Sequence, residues 1–513
     1  MALAKSYAIS LIGLTGTVVE VEADLSSNLP GFVIVGLPDA SLLEATARVK
    51  AATTNSGLPL ANRKLTINLS PAAVPKYGSS FDLAIAVAAM RASGLIEDES
   101  RWLFIGELGL DGRVRPVRGV LPQVLAAKQN GFDRVMVPIE NFAEASLVTG
   151  IEVEPVNSLR VAAAKLGVDI ELADQDVEIE AVDEVRPSVV EKDIADVYGQ
   201  AFAVQALIVS AVGGHNLLMI GSPGVGKTMM AERLTGLLPD LDMQSAIETT
   251  AVHSISKSAG RVGSEFISRP PFQAPHHSAS QAAIIGGGQG IPAPGMVSLA
   301  HNGVLFLDEA PEFQVPALES LRQSIESHEV TIARASGIAR FPAKFQLVLA
   351  ANPCPCGQAM SNNGACRCAP AARMRYLNKL SGPLLDRIDI RLRITETNAA
   401  AVALERKEAS RLTSAVAREQ VIAARAFGAD RNKRYGFALN AHAPSSALKA
   451  IYSVDESVTE QLDRALKLGQ LNLRGYDRCL RVALSIADLA GRAPTRGDVA
   501  AAMMLRGEDR LAA

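Results

Sequence analysis

Gly221, Gly226, Lys227 and Thr228, in GSPGVGKTMM (221–230), fit the spacing G-x-x-x-x-G-K-[ST]. A chain of phosphates needs many close donors. Glycines let backbone N–H groups curl around it without Cβ clashes, the lysine reaches the outer phosphates, and the hydroxyl holds Mg²⁺. Gly221, Ser222, Pro223, Gly224, Val225, Gly226, Lys227 and Thr228 are therefore the candidate ATP-binding loop. Further on, an apolar strand in GVLFLDEAPEF (303–313) ends in Asp308 and Glu309. Alone, this reads as readily as an edge strand with a solvated acid pair. Paired with the loop, Asp308 orders Mg²⁺ through water, and Glu309 orients and deprotonates the attacking water. KFQLVLAANPC (344–354) ends another buried strand on Asn352, placed to meet a γ-phosphate or the lytic water. In SGPLLDRIDI (381–390) Arg387 stands beside two acids. From spacing alone that is a local ion pair, worth little. The other reading is an arginine offered across a subunit boundary to neutralise transition-state charge.

A second cluster is Cys354, Cys356, Cys366 and Cys368, arranged as C-x-C, nine residues, C-x-C. Four thiolates this close suit a tetrahedral Zn²⁺. Free thiols or a redox pair are the other reading, disulfides being disfavoured in the cytoplasm. A metal here would be a structural clip or DNA-facing knob beside Asn352, not a catalytic centre. Cys479 stands alone in a helical pattern and reads as core packing.

The elements that must position these residues follow from periodicity. HNLLMIG (215–221) suits a buried strand and TMMAERLTGLL (228–238) a helix, so the loop lies at a helix N-terminus, where the dipole favours anions. Residues 1–170 alternate β-rich runs such as GFVIVGL and KLTINLS with helical runs, an α+β pattern. The acidic stretch 171–193 reads as a solvated linker, 194–395 as an α/β nucleotide-binding core with a cysteine-rich insertion at 353–369, and 396–513 as a helical lid. The chain is thus multidomain α/β, as its 513 residues require. The net charge of -3 gives no global basic field, so nucleic-acid contact must come from local patches. The longest apolar stretch, AFAVQALIVSAVGG (201–214), contains Gln205 and reads as a core helix, not a membrane span. The N-terminus has no cleavage-site pattern, so a cytoplasmic protein with no membrane contact is expected.

The order GSPGVGKT, FLDE, LAANP, LLDRID and LNLRGYDRCLRVALSIADLAG (471–491) resembles the AAA+ ATPases. More narrowly, residues 5–508 resemble the magnesium-chelatase-like ComM/YifB group, competence-associated branch-migration helicases. The most specific pieces are RPPFQAPHHSAS (269–280), GMVSLAHNGVLFLDEAPEF and CPCG…CRC. The resemblance implies that Asn352 is sensor 1, Arg387 the trans arginine finger, and Arg474 sensor 2, with Arg478 and Arg481 as alternatives. VYGQ (197–200), with Gly199 and Gln200, would lie near the adenine. ATP sites between subunits imply a ring, a hexamer.

The resemblance extends to the substrate. EVTIARA and IARFPAKFQ read as two strands around Ser336 and Gly337, carrying Arg334, Arg340 and Lys344. A similar hairpin in minichromosome-maintenance helicases contacts DNA phosphates in the ring pore, and Arg334 would take the tip lysine's place. An ordinary surface hairpin is the bland reading. IIGGGQGIPAPGM (284–296) resembles a second pore loop. His276 and His277, with no carboxylate or cysteine at tight spacing, read as polar loop residues. The N-terminal region resembles the Lon/S5-like fold, with VPKYGSSFDLAIAVAAM (74–90) placing Ser80 at the nucleophile. The dyad lysine positions hold Leu121 and Gln123, and Lys76 and Lys128 lie elsewhere, so no peptidase is expected. The reading is an ATP- and Mg²⁺-dependent ring motor on single-stranded or branched DNA. A magnesium-chelatase-type motor that remodels a protein partner is the principal rival; an ATP-dependent protease and a non-enzymatic assembly platform follow.

Overall fold

A computed structural model describes residues 3–27, 29–36, 39–172, 192–256, 262–288, 292–334, 337–360, 366–397, 402–403, 405 and 411–507. Most of the acidic stretch expected to be a linker, and Ser336 of the hairpin tip, lie outside these residues.

The N-terminal part is a seven-stranded mixed sheet in the order Gly31–Val35, Lys64–Ser70, Thr15–Ser26, Ala4–Ile12, Trp102–Phe104, Arg134–Pro138, Glu152–Val156. Ala4–Ile12 pairs antiparallel with Thr15–Ser26 through the Gly13 turn, whose φ is 64°. Helix Asp82–Ala92 is apolar all round, and Asp82 to Met90 are all buried. Such a helix belongs inside a core. The other face of the sheet packs on helix Val120–Gln129.

The nucleotide-binding part is built on a five-stranded sheet in the order Phe272–Gln273, Val304–Leu307, Gln346–Ala351, Leu217–Gly221, Ile390–Ile394. Every pairing in it is parallel. LLMIG, VLFL and QLVLAA are continuous apolar runs, and each is buried throughout, as strands covered by helices on both faces must be. Helices Ala201–Gly213, Ser414–Arg434, Leu473–Leu489 and Arg496–Arg506 share one core with this sheet. In the expected helical lid, the long helix Ser414–Arg434 is capped by the Thr413 side chain.

The two parts touch at defined points. The Gly119 N–H donates to the Ser254 carbonyl at 3.0 Å, at the end of helix Met243–Ile255. The Glu144 carboxylate accepts from the Ser254 hydroxyl and from the Leu121 N–H. Gly13 lies so close to the Arg340 carbonyl that a Cβ there would stand 2.5 Å away. Among the described residues, no helix is long and apolar enough to cross a membrane.

Candidate functional site

Parallel strands place their C-terminal ends together, and the crevice outside them is where ligands bind in such sheets. Gly221, Asp308 and Asn352 stand at or just beyond the C-terminal ends of three adjacent strands. Gly224 and Gly226 have φ of 80° and 91°, which lets the loop turn its N–H groups inward before helix Lys227–Leu237 begins. Gly221 cannot carry a side chain, because a Cβ would meet the Ile394 carbonyl at 2.5 Å.

Lys227 is 7% exposed. Its ammonium donates to the Gly221 carbonyl at 2.7 Å, the Ser222 carbonyl at 2.9 Å and Asn352 Oδ1 at 3.2 Å. Burial pulls its pKa down, and the Asp308 and Glu309 carboxylates oppose that. The Thr228 hydroxyl donates to Asp308 Oδ2 at 2.6 Å, so the two residues expected to hold Mg²⁺ meet. Asp308 Oδ1 in turn accepts from the Glu309 N–H at 2.9 Å. Glu309 has a φ of 50°, a left-handed backbone that non-glycine residues hold mainly where function requires it. Its carboxylate lies 3.3 Å from His277 Nδ1. Sequence reasoning gave His277 no role; its partner is 32 positions away (309 − 277), beyond any local spacing rule. Near the mouth, the Gly199 N–H donates to Glu405 at 2.6 Å and Gln200 Nε2 to the Thr395 carbonyl at 2.9 Å.

Arg387 is not in this group. Asn216, at the start of the five-residue strand Leu217–Gly221, donates through Nδ2 to the Arg387 carbonyl at 2.9 Å. The phosphate loop begins at the other end of that strand, about 17 Å away at 3.3 Å per residue. Arg387 pairs with Glu326 and the Pro383 carbonyl there. Arg474 donates to Asp386 at 2.8 Å, and Arg478 pairs with Asp389. Burial of Asp389 raises its pKa, but Arg478 and His215 outweigh this and hold it well below the usual carboxylate range. Arg387, Arg474, Arg478 and Arg481 line one cleft of about 390 Å³. The C-terminal ends of the strands therefore carry the phosphate loop and acids, and the N-terminal ends carry the arginines.

Strands Glu329–Arg334 and Gly337–Pro342 form the expected hairpin, with Arg334 opposite Gly337. Val330, Ile332, Ala339 and Phe341 are buried, while Arg334 and Arg340 are exposed. Arg334 Nη2 lies close enough to Gly287 to contact a Cβ there at 3.5 Å, so the hairpin and the glycine-rich loop stand side by side; residues 289–291 of that loop lie outside the described ones. Lys344 corrects the sequence reading. It lies beyond the hairpin, ahead of strand Gln346–Ala351, and its carbonyl accepts from the Asn302 N–H at 2.6 Å. It stands at the N-terminal end of that strand, the end that also carries the arginines.

The sulfurs of Cys354, Cys356, Cys366 and Cys368 all lie within 4.8 Å of one another. Cys354 is 3.4 Å from Cys356 and 3.6 Å from Cys366. Tetrahedral Zn²⁺ with 2.3 Å bonds separates its sulfurs by about 3.8 Å, so the donor set fits that metal. Burial pushes the Cys354 thiol up to about 11, while the Gln358 N–H draws Cys356 down to about 6. In the N-terminal part, Leu121 and Gln123 are buried, and Lys76 is buried with its ammonium on the Pro71 carbonyl.

Family models described as magnesium chelatase, subunit ChlI match residues 193–402, 21–141 and, for its C-terminal part, 411–506. Together they cover most of the chain. The chain belongs to the magnesium-chelatase-like ComM/YifB family of AAA+ ATPases. It is 47% identical to an uncharacterized protein of Mycobacterium tuberculosis, over 99% of both chains. It is 39% identical to competence protein ComM of Haemophilus influenzae, over 96% of this chain and 94% of that one. It is 37% identical to YifB of Escherichia coli, over 100% and 98%. The fold is that of the family, an AAA+ core with a Lon-like N-terminal region.

Proposed function

We propose that the chain is a ring-forming ATPase motor that translocates on single-stranded or branched DNA and drives branch migration, assembled as a hexamer in the cytoplasm. The observation that carries the reading is the split between the two ends of the strands: Thr228, Asp308 and Glu309 at one, Arg387 and Arg474 at the other. An arginine that cannot reach its own phosphate loop can serve a neighbour's. Lys227 and the loop N–H groups hold the phosphates, and Mg²⁺, held by Thr228 and Asp308 when bound, neutralises charge between them. Glu309 accepts the proton of the attacking water, and Asn352 fixes that water and Lys227 together. Arg387 of the adjacent copy meets the charge that develops on the transferred group, with Arg474 beside it. Arg334, exposed on its hairpin next to the glycine-rich loop, grips phosphate without reading sequence. Arg340 adds a weaker contact, since it also faces Glu329 at 3.7 Å. The cysteine cluster holds a structural Zn²⁺. The N-terminal region lacks peptidase activity, because Leu121 and Gln123 leave Ser80 without a base.

Steady-state ATPase with single-stranded, forked and four-way-junction DNA tests this, with Glu309→Gln and Arg334→Ala alongside. Stimulation by DNA that is lost in Glu309→Gln and blunted in Arg334→Ala supports the motor on DNA. Robust ATPase indifferent to every DNA favours the second reading, a motor that remodels a protein partner. That reading draws on the family models, whose descriptions name magnesium chelatase.

A further inference from the structure

The cysteine loop and the phosphate loop are in contact. Gly357, between the two C-x-C pairs, packs on Pro223 so closely that a Cβ at 357 would stand 2.6 Å from the proline ring. Gly357 also has a φ of 76°, which glycine alone holds without strain. On the N-terminal side, one residue, Pro353, stands between the two chemistries: Asn352 accepts from Lys227, and Cys354 is fully buried behind it. On the C-terminal side, Arg373 Nε donates to the Cys368 carbonyl at 3.1 Å, at the start of helix Pro370–Leu377. Tyr376 of that helix is buried, and burial together with the nearby Glu312 and Glu309 carboxylates raises its pKa to about 12. The loop thus touches the phosphate cradle directly and frames Asn352.

Among its described residues, the outer part of the loop faces solvent. Cys356 is exposed, and Cys366 and Cys368 are half-buried. Of the loop's described residues, Pro353, Cys354 and Gly357 are buried, and Met360 is half-buried against the apolar core. Four sulfurs drawn within 4.8 Å of one another are its organising feature.

We propose that metal occupancy of the four-cysteine site controls the affinity of the phosphate loop for ATP. This rests on reading the cluster as a zinc site. Bound zinc supplies a cross-link between the two C-x-C pairs. Gly357 then holds the Pro223 face of the cradle, and Asn352 holds Lys227 in register with it. Without the cross-link the loop separates from Pro223, and the phosphates lose one wall of their site. Linked binding is reciprocal: the factor by which zinc tightens ATP is the factor by which ATP tightens zinc.

The test uses the full chain as wild type, as Cys356→Ser/Cys366→Ser and as Gly357→Val. Zinc content is read by mass spectrometry before and after chelator treatment. Affinity for a fluorescent ATP analogue with Mg²⁺ is read by titration, and zinc transfer to a chromophoric chelator is timed with and without ATP. Circular dichroism reports the fold. The expected result is stoichiometric zinc in the wild type. Its removal should weaken the analogue about tenfold, within the usual range for coupled sites, and its return should restore binding. ATP should slow zinc transfer. Gly357→Val should keep its zinc and still bind the analogue weakly. Zinc that comes and goes with unchanged analogue affinity overturns the coupling and leaves the metal site standing. A wild type that never holds zinc overturns both. If the double cysteine variant does not fold, the chelator titration of the wild type decides.

Discussion

Mixing two dead variants is the sharpest test of the split site. Glu309→Gln removes the carboxylate proposed to take the water's proton, and Arg387→Ala removes the cation at the far end of the strands. Each alone should lose most activity: general-base loss costs about 10²–10⁴-fold, and loss of an arginine finger about 10³-fold or more. Within one chain the two groups sit at opposite ends of a strand about 17 Å long, so neither can complete the other's site in its own copy. In the proposed ring, each site would take Glu309 from one copy and Arg387 from the next. At equal mixing, half the copies carry an intact Glu309 and half an intact Arg387. About one quarter of interfaces (one half times one half) then contain both, and activity should return to about a quarter of wild type if sites fire independently. The assay is steady-state ATPase of the two variants, co-refolded or subunit-exchanged at varied ratios. Activity should peak at equal proportions. A mixture that never exceeds the sum of its parents would falsify the trans assignment, because a cis arginine predicts no rescue at any ratio.

Further perturbations have equally specific outcomes. Lys227→Ala removes the donor shared by Gly221, Ser222 and Asn352, and should lower ATPase by at least about 10²-fold with the fold intact by circular dichroism. Phe306→Ala empties a buried ring stacked on Phe272 at 6.0 Å and should cost about 3–5 kcal/mol, seen as a lower melting temperature. Burial raises the Glu144 pKa above its ordinary 4.5, and the hydrogen bonds from Ser254, Leu121 and Asn141 oppose it only in part. The folded state therefore holds a proton that the unfolded chain has lost. The resulting stability is full below 4.5 and is lost as pH rises through the raised value. Melting curves across that window should show the decline in wild type, and Glu144→Gln should flatten it.

The phosphate loop and both acids could be placed from sequence because each follows an apolar run of strand length. Such runs mark buried parallel strands, and a parallel sheet brings their C-terminal ends to one crevice. The hairpin was legible for a similar reason: alternating Val330 and Ile332 face Ala339 and Phe341 across a small tip. Three features were not legible. His277 reaches Glu309 only because strand Phe272–Gln273 lies beside Val304–Leu307, and a two-residue strand leaves no periodicity. Lys344 looked like part of the hairpin because Pro342 and Ala343 do not announce where one strand ends and the next begins. The contact between Gly357 and Pro223 joins two turns, neither of which has a pattern that names its partner.

The N-terminal region offers a test of the proposed absence of peptidase activity. One of the two positions where a Lon-like peptidase would carry its lysine is Leu121, the second residue of helix Val120–Gln129; the other is Gln123. Here Leu121 is buried, and its N–H is bound by Glu144, whose carboxylate also accepts from Ser254 of the nucleotide-binding part. Gly119, just before the helix, donates to the carbonyl of the same serine. A lysine at 121 would bring a charge into this packed joint, and desolvating it without a partner costs several kcal/mol. The residues around Leu121 thus join the two parts. Leu121→Lys should destabilise that joint, lowering the melting temperature, and should not restore peptide cleavage at Ser80. Casein turnover by Leu121→Lys, abolished by Ser80→Ala, would show instead that the site had kept its geometry and lacked only the base.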